Sequence, residues 1–217
     1  MTLSYQIENI VEARRAGEEV AVADFGHEAW GRARPAHIAR YWSGEAAPEG
    51  RHAEARVVWT DAALVVKFDC RQEEPLVVNP APNLREKTIG LWDRDVCEIF
   101  VAPDPSAPER YFEFEAAPTG EWIDLAIHWR PQGRETDWRY RSRMQTAAHL
   151  GEDSLTVAIR IPFKSLGRSP RAGDRWRANL FRCVGPDPVY RYLAWQPTHT
   201  EVPNFHVPER FGWLVFR

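Results

Sequence analysis

Between Arg110 and Ala116 the side chains alternate: Phe112, Phe114 and Ala116 fall on one side, Tyr111, Glu113 and Glu115 on the other. A strand produces this separation because successive side chains point to opposite faces, and a helix does not. The same period recurs at Leu155, Val157, Ile159 and Ile161, set against Thr156, Ala158 and Arg160. Each segment reads as a half-buried strand. Further strands are predicted at 54–60, 64–69, 95–102, 121–128, 137–146, 175–183, 190–195 and 212–216, the first two forming a hairpin through Asp61-Ala62-Ala63. Pro103-Asp104-Pro105, Pro118-Thr119-Gly120, Pro131-Gln132-Gly133 and Gly151-Glu152-Asp153 supply the turns. Helical periodicity is scarce, with one short turn expected at 162–166 and a second candidate at 27–40. The expected fold is all-β, an antiparallel β-sandwich of the jelly-roll or immunoglobulin-like kind with little helix. With 217 residues, no internal repeat and no Gly/Ser linker, the chain reads as one domain over 1–217.

Several function classes fall away. A formal charge of -3 provides no basic footprint for nucleic acid. No apolar run is long enough for a membrane helix. The opening MTLSYQIENIVEARR lacks a charged-then-apolar leader, so the chain as given reads as cytoplasmic. Three cysteines, Cys70, Cys97 and Cys183, are an odd number without CxxC spacing. They are expected to be buried thiols, with one disulfide and one thiol left over as the alternative.

No nucleophile-elbow, zinc-protease, P-loop or dinucleotide-binding pattern occurs, and no catalytic residues are assigned. Asp93, Asp95, Glu98, Glu113 and Glu115 are numerous enough for a glycosidase pair, yet carboxylates on edge strands are usually solvated. His199 and His206 stand seven apart in a loop-like segment and carry no metal pattern; no EF-hand is present, and no metal ligand is assigned.

Binding platforms remain. Ten tryptophans are unusual, although most must serve packing. In 91–100, LWDRDVCEIF, Trp92 stands at the entry to a strand and Glu98 follows six residues later, on the same face if the strand is regular. The plain alternative is that Trp92 caps the core and Glu98 pairs with an arginine. The segment 195–213, WQPTHTEVPNFHVPERFGW, begins at Trp195 and reads as a candidate binding loop, or as a strap stiffened by Pro197, Pro203 and Pro208.

At these residues the chain resembles carbohydrate-binding module family 9, within the broader DOMON-like group. The resemblance is carried by WDRDVCEIF at 92–100, YFEFE at 111–115, VAIRIPF at 157–163, RWRANLFR at 175–182 and VPERFG at 207–212, after a hairpin RVVWTDAALVVKF at 56–68. It spans roughly residues 20 to 217. It implies a β-sandwich that holds a mono- or oligosaccharide between two aromatic rings without catalysing its cleavage, in the setting of xylan or cellulose breakdown. The implied binding residues are Trp92 as one ring, Glu98 as hydroxyl acceptor and Phe205, where the family has tryptophan, as the second ring; Trp195 in the same segment is added as a candidate. No cofactor is required, and a structural calcium is the one metal implied, without a ligand set matched to it here. Two alternatives stay open: a scaffold domain without ligand, and a haem domain using Met144 with His128 or His149.

Overall fold

The computed structural model describes residues 9–217. In chain order its strands are β1 (Ile10–Arg15), β2 (Ala36–Ile38), β3 (Arg40–Tyr41), β4 (Ala53–Trp59), β5 (Ala63–Arg71), β6 (Val96–Ala102), β7 (Arg110–Ala116), β8 (Trp122–Arg130), β9 (Gly133–Asp137), β10 (Gln145–Leu150), β11 (Ser154–Pro162), β12 (Arg175–Cys183), β13 (Tyr192–Ala194) and β14 (Gly212–Phe216). One short helix, α1 (Glu28–Arg32), lies between β1 and β2. The hydrogen-bonded path runs β10-β11-β5-β4-β1-β14-β12-β6-β7-β8-β9. β1 pairs in parallel with both β4 and β14 and so joins two antiparallel halves of the sandwich.

Where strand and turn chemistry agree, expected and observed elements coincide. β7, β12 and β14 have the bounds read from the sequence. The 162–166 turn is a 3-10 turn over Phe163–Leu166, ended by Gly167 in the left-handed region at φ 69°. Two expectations need correction. The 27–40 segment is helical only over Glu28–Arg32, because Pro35 lacks an N–H and biases its predecessor toward extended backbone; β2 and β3 follow instead. The strand expected at 137–146 is two strand ends and a crossover. β9 stops at Asp137, whose carboxylate accepts the Arg139 N–H at 2.9 Å, Arg143 adopts φ 59°, and β10 starts at Gln145. Of the opening segment, residues 1–8 lie outside the described residues and 10–15 form β1.

The interior lies between the two halves. Leu64, Val66, Phe68 and Cys70 of β5 join Leu155, Val157, Ile159 and Ile161 of β11 in one buried core with Cys97, Ile99 and Val101 of β6 and Phe114 of β7. Cys70 and Cys97 meet across it, Sγ to Sγ 3.7 Å, and all three cysteines are free, buried thiols. On the outer side of β4 and β5, Val58 and Val65 are covered by Ala29, Trp30 and Ala33 from the α1 region.

Phe114 is fully buried at the centre of this core. Phe114→Ala is expected to cost about 3–5 kcal/mol, the price of a large cavity between rigid strands. Urea unfolding of the two proteins measures it; a loss below about 1 kcal/mol would mean the sheets collapse onto the gap.

Candidate functional site

The alternation that sends Cys97, Ile99 and Val101 inward sends Glu98 and Phe100 to the opposite face. Strand register then gathers like neighbours. Glu98 stands opposite Glu115 and Phe100 opposite Glu113 across β6 and β7; Leu125 of β8 lies beside Glu113, and Phe181 of β12 beside Glu98. One oxygen from each of Glu98, Glu113 and Glu115 lies within 4.8 Å of the others. These are not solvated edge-strand carboxylates, as the sequence suggested. They are 1%, 2% and 0% exposed.

The burial comes from the segment between β13 and β14. Phe205 lies flat on Phe181, with ring centres 3.9 Å apart and planes 13° off parallel, and meets Tyr192 edge-on. His206 follows, its Nδ1 2.9 Å from the Tyr111 hydroxyl and its ring 5.2 Å from Phe100. With Trp92, Trp138, Tyr192, Arg134 and Asn204 these residues enclose a cavity of about 510 Å³ whose floor is the carboxylate trio.

The far wall is positioned from two directions. Gly90 adopts φ 81°, which opens a 3-10 turn over Leu91–Asp93; Leu91 is buried beneath it, and Trp92 is left half-buried above. Asp95, at the end of this turn, accepts the Gly185 N–H at 2.9 Å and donates its own N–H to the Val77 carbonyl at 2.8 Å. Lys87 forms a buried ion pair with Asp124 at 2.6 Å and donates to the Tyr140 carbonyl at 2.7 Å. It thereby ties the loop before Trp92 to the crossover that carries Trp138. The rings of Trp92 and Trp138 are 6.5 Å apart and tilted by 47°.

Electrostatically the floor is a cluster of three buried carboxyl groups held toward their protonated forms. Burial raises the Glu98 carboxyl to about 8, with Glu113 adding to the rise. Burial also raises Glu113, and it pushes Glu115 well above the carboxylate range, reinforced by Glu98 and Glu113. His206, 3.8 Å from Glu113, does not compensate: burial lowers it to about 3, so it is neutral. No N–H or O–H of another described residue reaches Glu113 Oε2 or either oxygen of Glu115, so the hydrogen bond open to this pair is the one between the two carboxyls.

The sequence candidates separate in space. Trp92, Glu98 and Phe205 line one cavity. Trp195 lies elsewhere, beside a second hollow with Ile10, Arg40 and Arg217, its ring pressed on Gly212 so closely that a Cβ there would fall 2.4 Å from it. Met144, His128 and His149 are not among the residues that line the main cavity. His128 instead accepts a hydrogen bond from Arg110 at 3.3 Å, and His149 lies beside Phe25. Reading the sequence missed Trp138, Arg134, Tyr192 and Asn204. Alternation had already put Glu113 and Glu115 on the right face but could not show that this face is covered.

A β-sandwich whose outer sheet face carries an aromatic-walled cavity over polar groups is the architecture of a carbohydrate-binding module. The pattern of carbohydrate-binding family 9 matches residues 41–216, and the chain belongs to that family. Its fold is shared with a putative carbohydrate-binding protein from Bacteroides uniformis, at 19% identity and TM-score 0.69 over 96% of this chain and 99% of that one. It is shared also with a family 9 module from Caldicellulosiruptor kristjanssonii, seen in complex with cellotriose (14% identity, TM-score 0.67, 96% and 93% covered) and with glucose (17%, 0.63, 96% and 95%). No curated protein matches the chain. The family is one of non-catalytic sugar-binding domains.

The raised carboxyls predict how stability depends on pH. A carboxyl whose folded pKa is raised stabilises the fold below its ordinary value of 4.5, and that contribution is lost as pH rises toward 8. The neutral His206 works in the opposite sense, its contribution being complete above 6.5 and lost as pH falls toward 3. Between 6.5 and 8 His206 no longer opposes the carboxyl effect, so the melting temperature is expected to fall across that interval. Glu115→Gln should flatten the fall. Calorimetry across the interval tests this, and a melting temperature that rises with pH would contradict it.

Proposed function

We propose that the cavity over Glu98 holds a sugar, the terminal residue of a glucose-containing or related oligosaccharide, and that the domain serves to keep a protein on such a chain during the breakdown of a plant polysaccharide such as cellulose or xylan. One observation carries this reading: a cavity of about 510 Å³ with aromatic walls and a polar floor. That volume falls within the usual range of small-ligand sites, which are mostly apolar with a few polar groups that set orientation. A pyranose ring presents apolar C–H faces to aromatic rings and hydroxyls to carboxyl, amide and guanidinium groups. Trp92 and Trp138 provide the open aromatic surface, Trp138 being 43% exposed. Phe205 has given one face to Phe181 and is only 8% exposed, so it acts as a back wall. Glu98, Asn204 and Arg134 are the hydroxyl partners. The glucose and cellotriose complexes of the family 9 module from Caldicellulosiruptor kristjanssonii support the ligand class.

We read the carboxylates as a binding floor and not as a glycosidase pair. Hydrolysis needs two carboxyl groups flanking the scissile bond, about 5–9.5 Å apart. Here all three lie together on one floor.

Titration with glucose and with cello- and xylo-oligosaccharides, followed by tryptophan fluorescence, is expected to give a saturable change. Trp92→Ala should weaken binding at least about ten-fold through lost stacking, with the melting temperature within about 4 °C of the parent because the ring is half-buried. A folded protein that responds to none of these sugars would overturn the reading.

A further inference from the structure

The floor of the cavity asks for more than a neutral sugar. Three buried carboxyl groups converge there, and those of Glu113 and Glu115 leave three oxygens without a donor from any other described residue. The cation that lines the same cavity is Arg134, and it is exposed at the rim. Arg191, which is not part of the lining, acts on Glu98 only through space. Lys87 and Arg94 are engaged elsewhere, Lys87 with Asp124 and Arg94 with Glu121, whereas Nε and Nη2 of buried Arg191 have no partner among the described residues. No described side chain places a positive charge in hydrogen-bond contact with Glu113 Oε2 or either oxygen of Glu115.

Resting on the sugar-binding reading above, we infer that the ligand itself supplies this charge: the site is built for an amino sugar with a free, protonated amine, seated on Glu98, Glu113 and Glu115 beneath the aromatic walls. The spacing of the trio admits an ammonium. Charge-assisted N–H to O bonds are about 2.8 Å long, so three tetrahedrally placed acceptors around one nitrogen stand about 4.6 Å apart. The three carboxylate oxygens lie within 4.8 Å of one another. A calcium ion takes about 6–8 oxygens and would need all three carboxylates ionised and bidentate to draw six from this trio. The flanking side chains on the same face, Phe100 and Leu125, contribute none. Trp92 and Trp138 in the same lining are aromatic faces of the kind that attract cations. An acetylated amine, uncharged and bulkier, loses both effects.

Binding of the ammonium ionises carboxyls that hold protons in the empty site, so an amino sugar should expel protons into solution while a neutral sugar should not. The test is calorimetric titration of the whole chain with glucose, glucosamine and N-acetylglucosamine at mildly acidic pH, where the amine is charged. Each titration is run in two buffers of different ionisation enthalpy, with chelator and again with added calcium. Glucosamine is expected to bind about ten-fold tighter than the other two and to be the one ligand that releases protons. Glu115→Gln should shrink that preference; if the variant does not fold, proton release by the unaltered protein still decides. Glucose binding as tightly as glucosamine, or no proton release, would overturn the inference while leaving the sugar site standing. Tight binding that appears only with calcium would replace the ammonium with a metal ion. Failure to bind any of the three would remove the sugar site and this inference together.

Discussion

Both faces of the sheet that contains β6 and β7 are buried, and most of the molecule's properties follow from this. One face belongs to the interior, where Cys97, Ile99 and Phe114 pack against the opposite half. The other is roofed by the 195–211 segment, which seats Phe205 on Phe181 and His206 beside Phe100. A strand covered on both sides ordinarily reads as a continuous apolar run. Here glutamates occupy positions 98, 113 and 115 on the roofed face, and desolvating charge is among the costliest things a fold can do. The fold lessens that cost by keeping protons on the carboxyls, as their raised values show. Such an arrangement lowers stability in the empty protein and is typical of a binding surface, where buried polar groups wait for a partner.

This cost also explains which parts of the fold were legible in the sequence. Alternation at 110–116 and 154–161 exposed the strands and their faces because the period of two is a local property. It correctly separated Phe114 from Glu113 and Glu115. Whether the second face is wet or covered depends on a roof nearly a hundred residues further along the chain, and no local pattern carries that information. The same limit applies at 137–146. Its residues look like one strand, but an Asx turn at Asp137 and a left-handed Arg143 break it into a crossover between the two halves. Trp138 consequently turns up in the cavity wall, where strand alternation gave no reason to place it. β1, with its parallel partners on either side, was likewise invisible because parallel pairing to β4 and β14 is set by topology.

Trp92 and Glu98 were legible as a pair for a physical reason: their spacing crosses a turn into a regular strand, and both the turn and the strand are locally encoded. Gly90 supplies the left-handed residue, Leu91 the buried anchor and Asp95 the fixed strand entry. Trp195 was drawn into the same reading by composition alone. An indole in an aromatic, proline-rich segment looks like a binding ring; in the fold its contact with Gly212 shows why that glycine has no side chain, and it stands at a second hollow away from Trp92.

The balance between Phe205 and Trp138 shows how the site divides its labour. A ring stacked at 3.9 Å on Phe181 is rigid and gains little freedom to adapt, so Phe205 shapes the depth of the cavity and shields the carboxyls from water. Trp138, on an exposed crossover pinned by Lys87 through the Tyr140 carbonyl, keeps a broad face open to solvent while its approach to Trp92 stays set. Shielding and stacking pull in opposite directions: the ring that best excludes water from the carboxyls is too buried to offer a second face. Splitting the two tasks between rings on different segments keeps the carboxyls little exposed, where hydrogen bonds and charge attraction are strongest, and leaves the mouth of the cavity open.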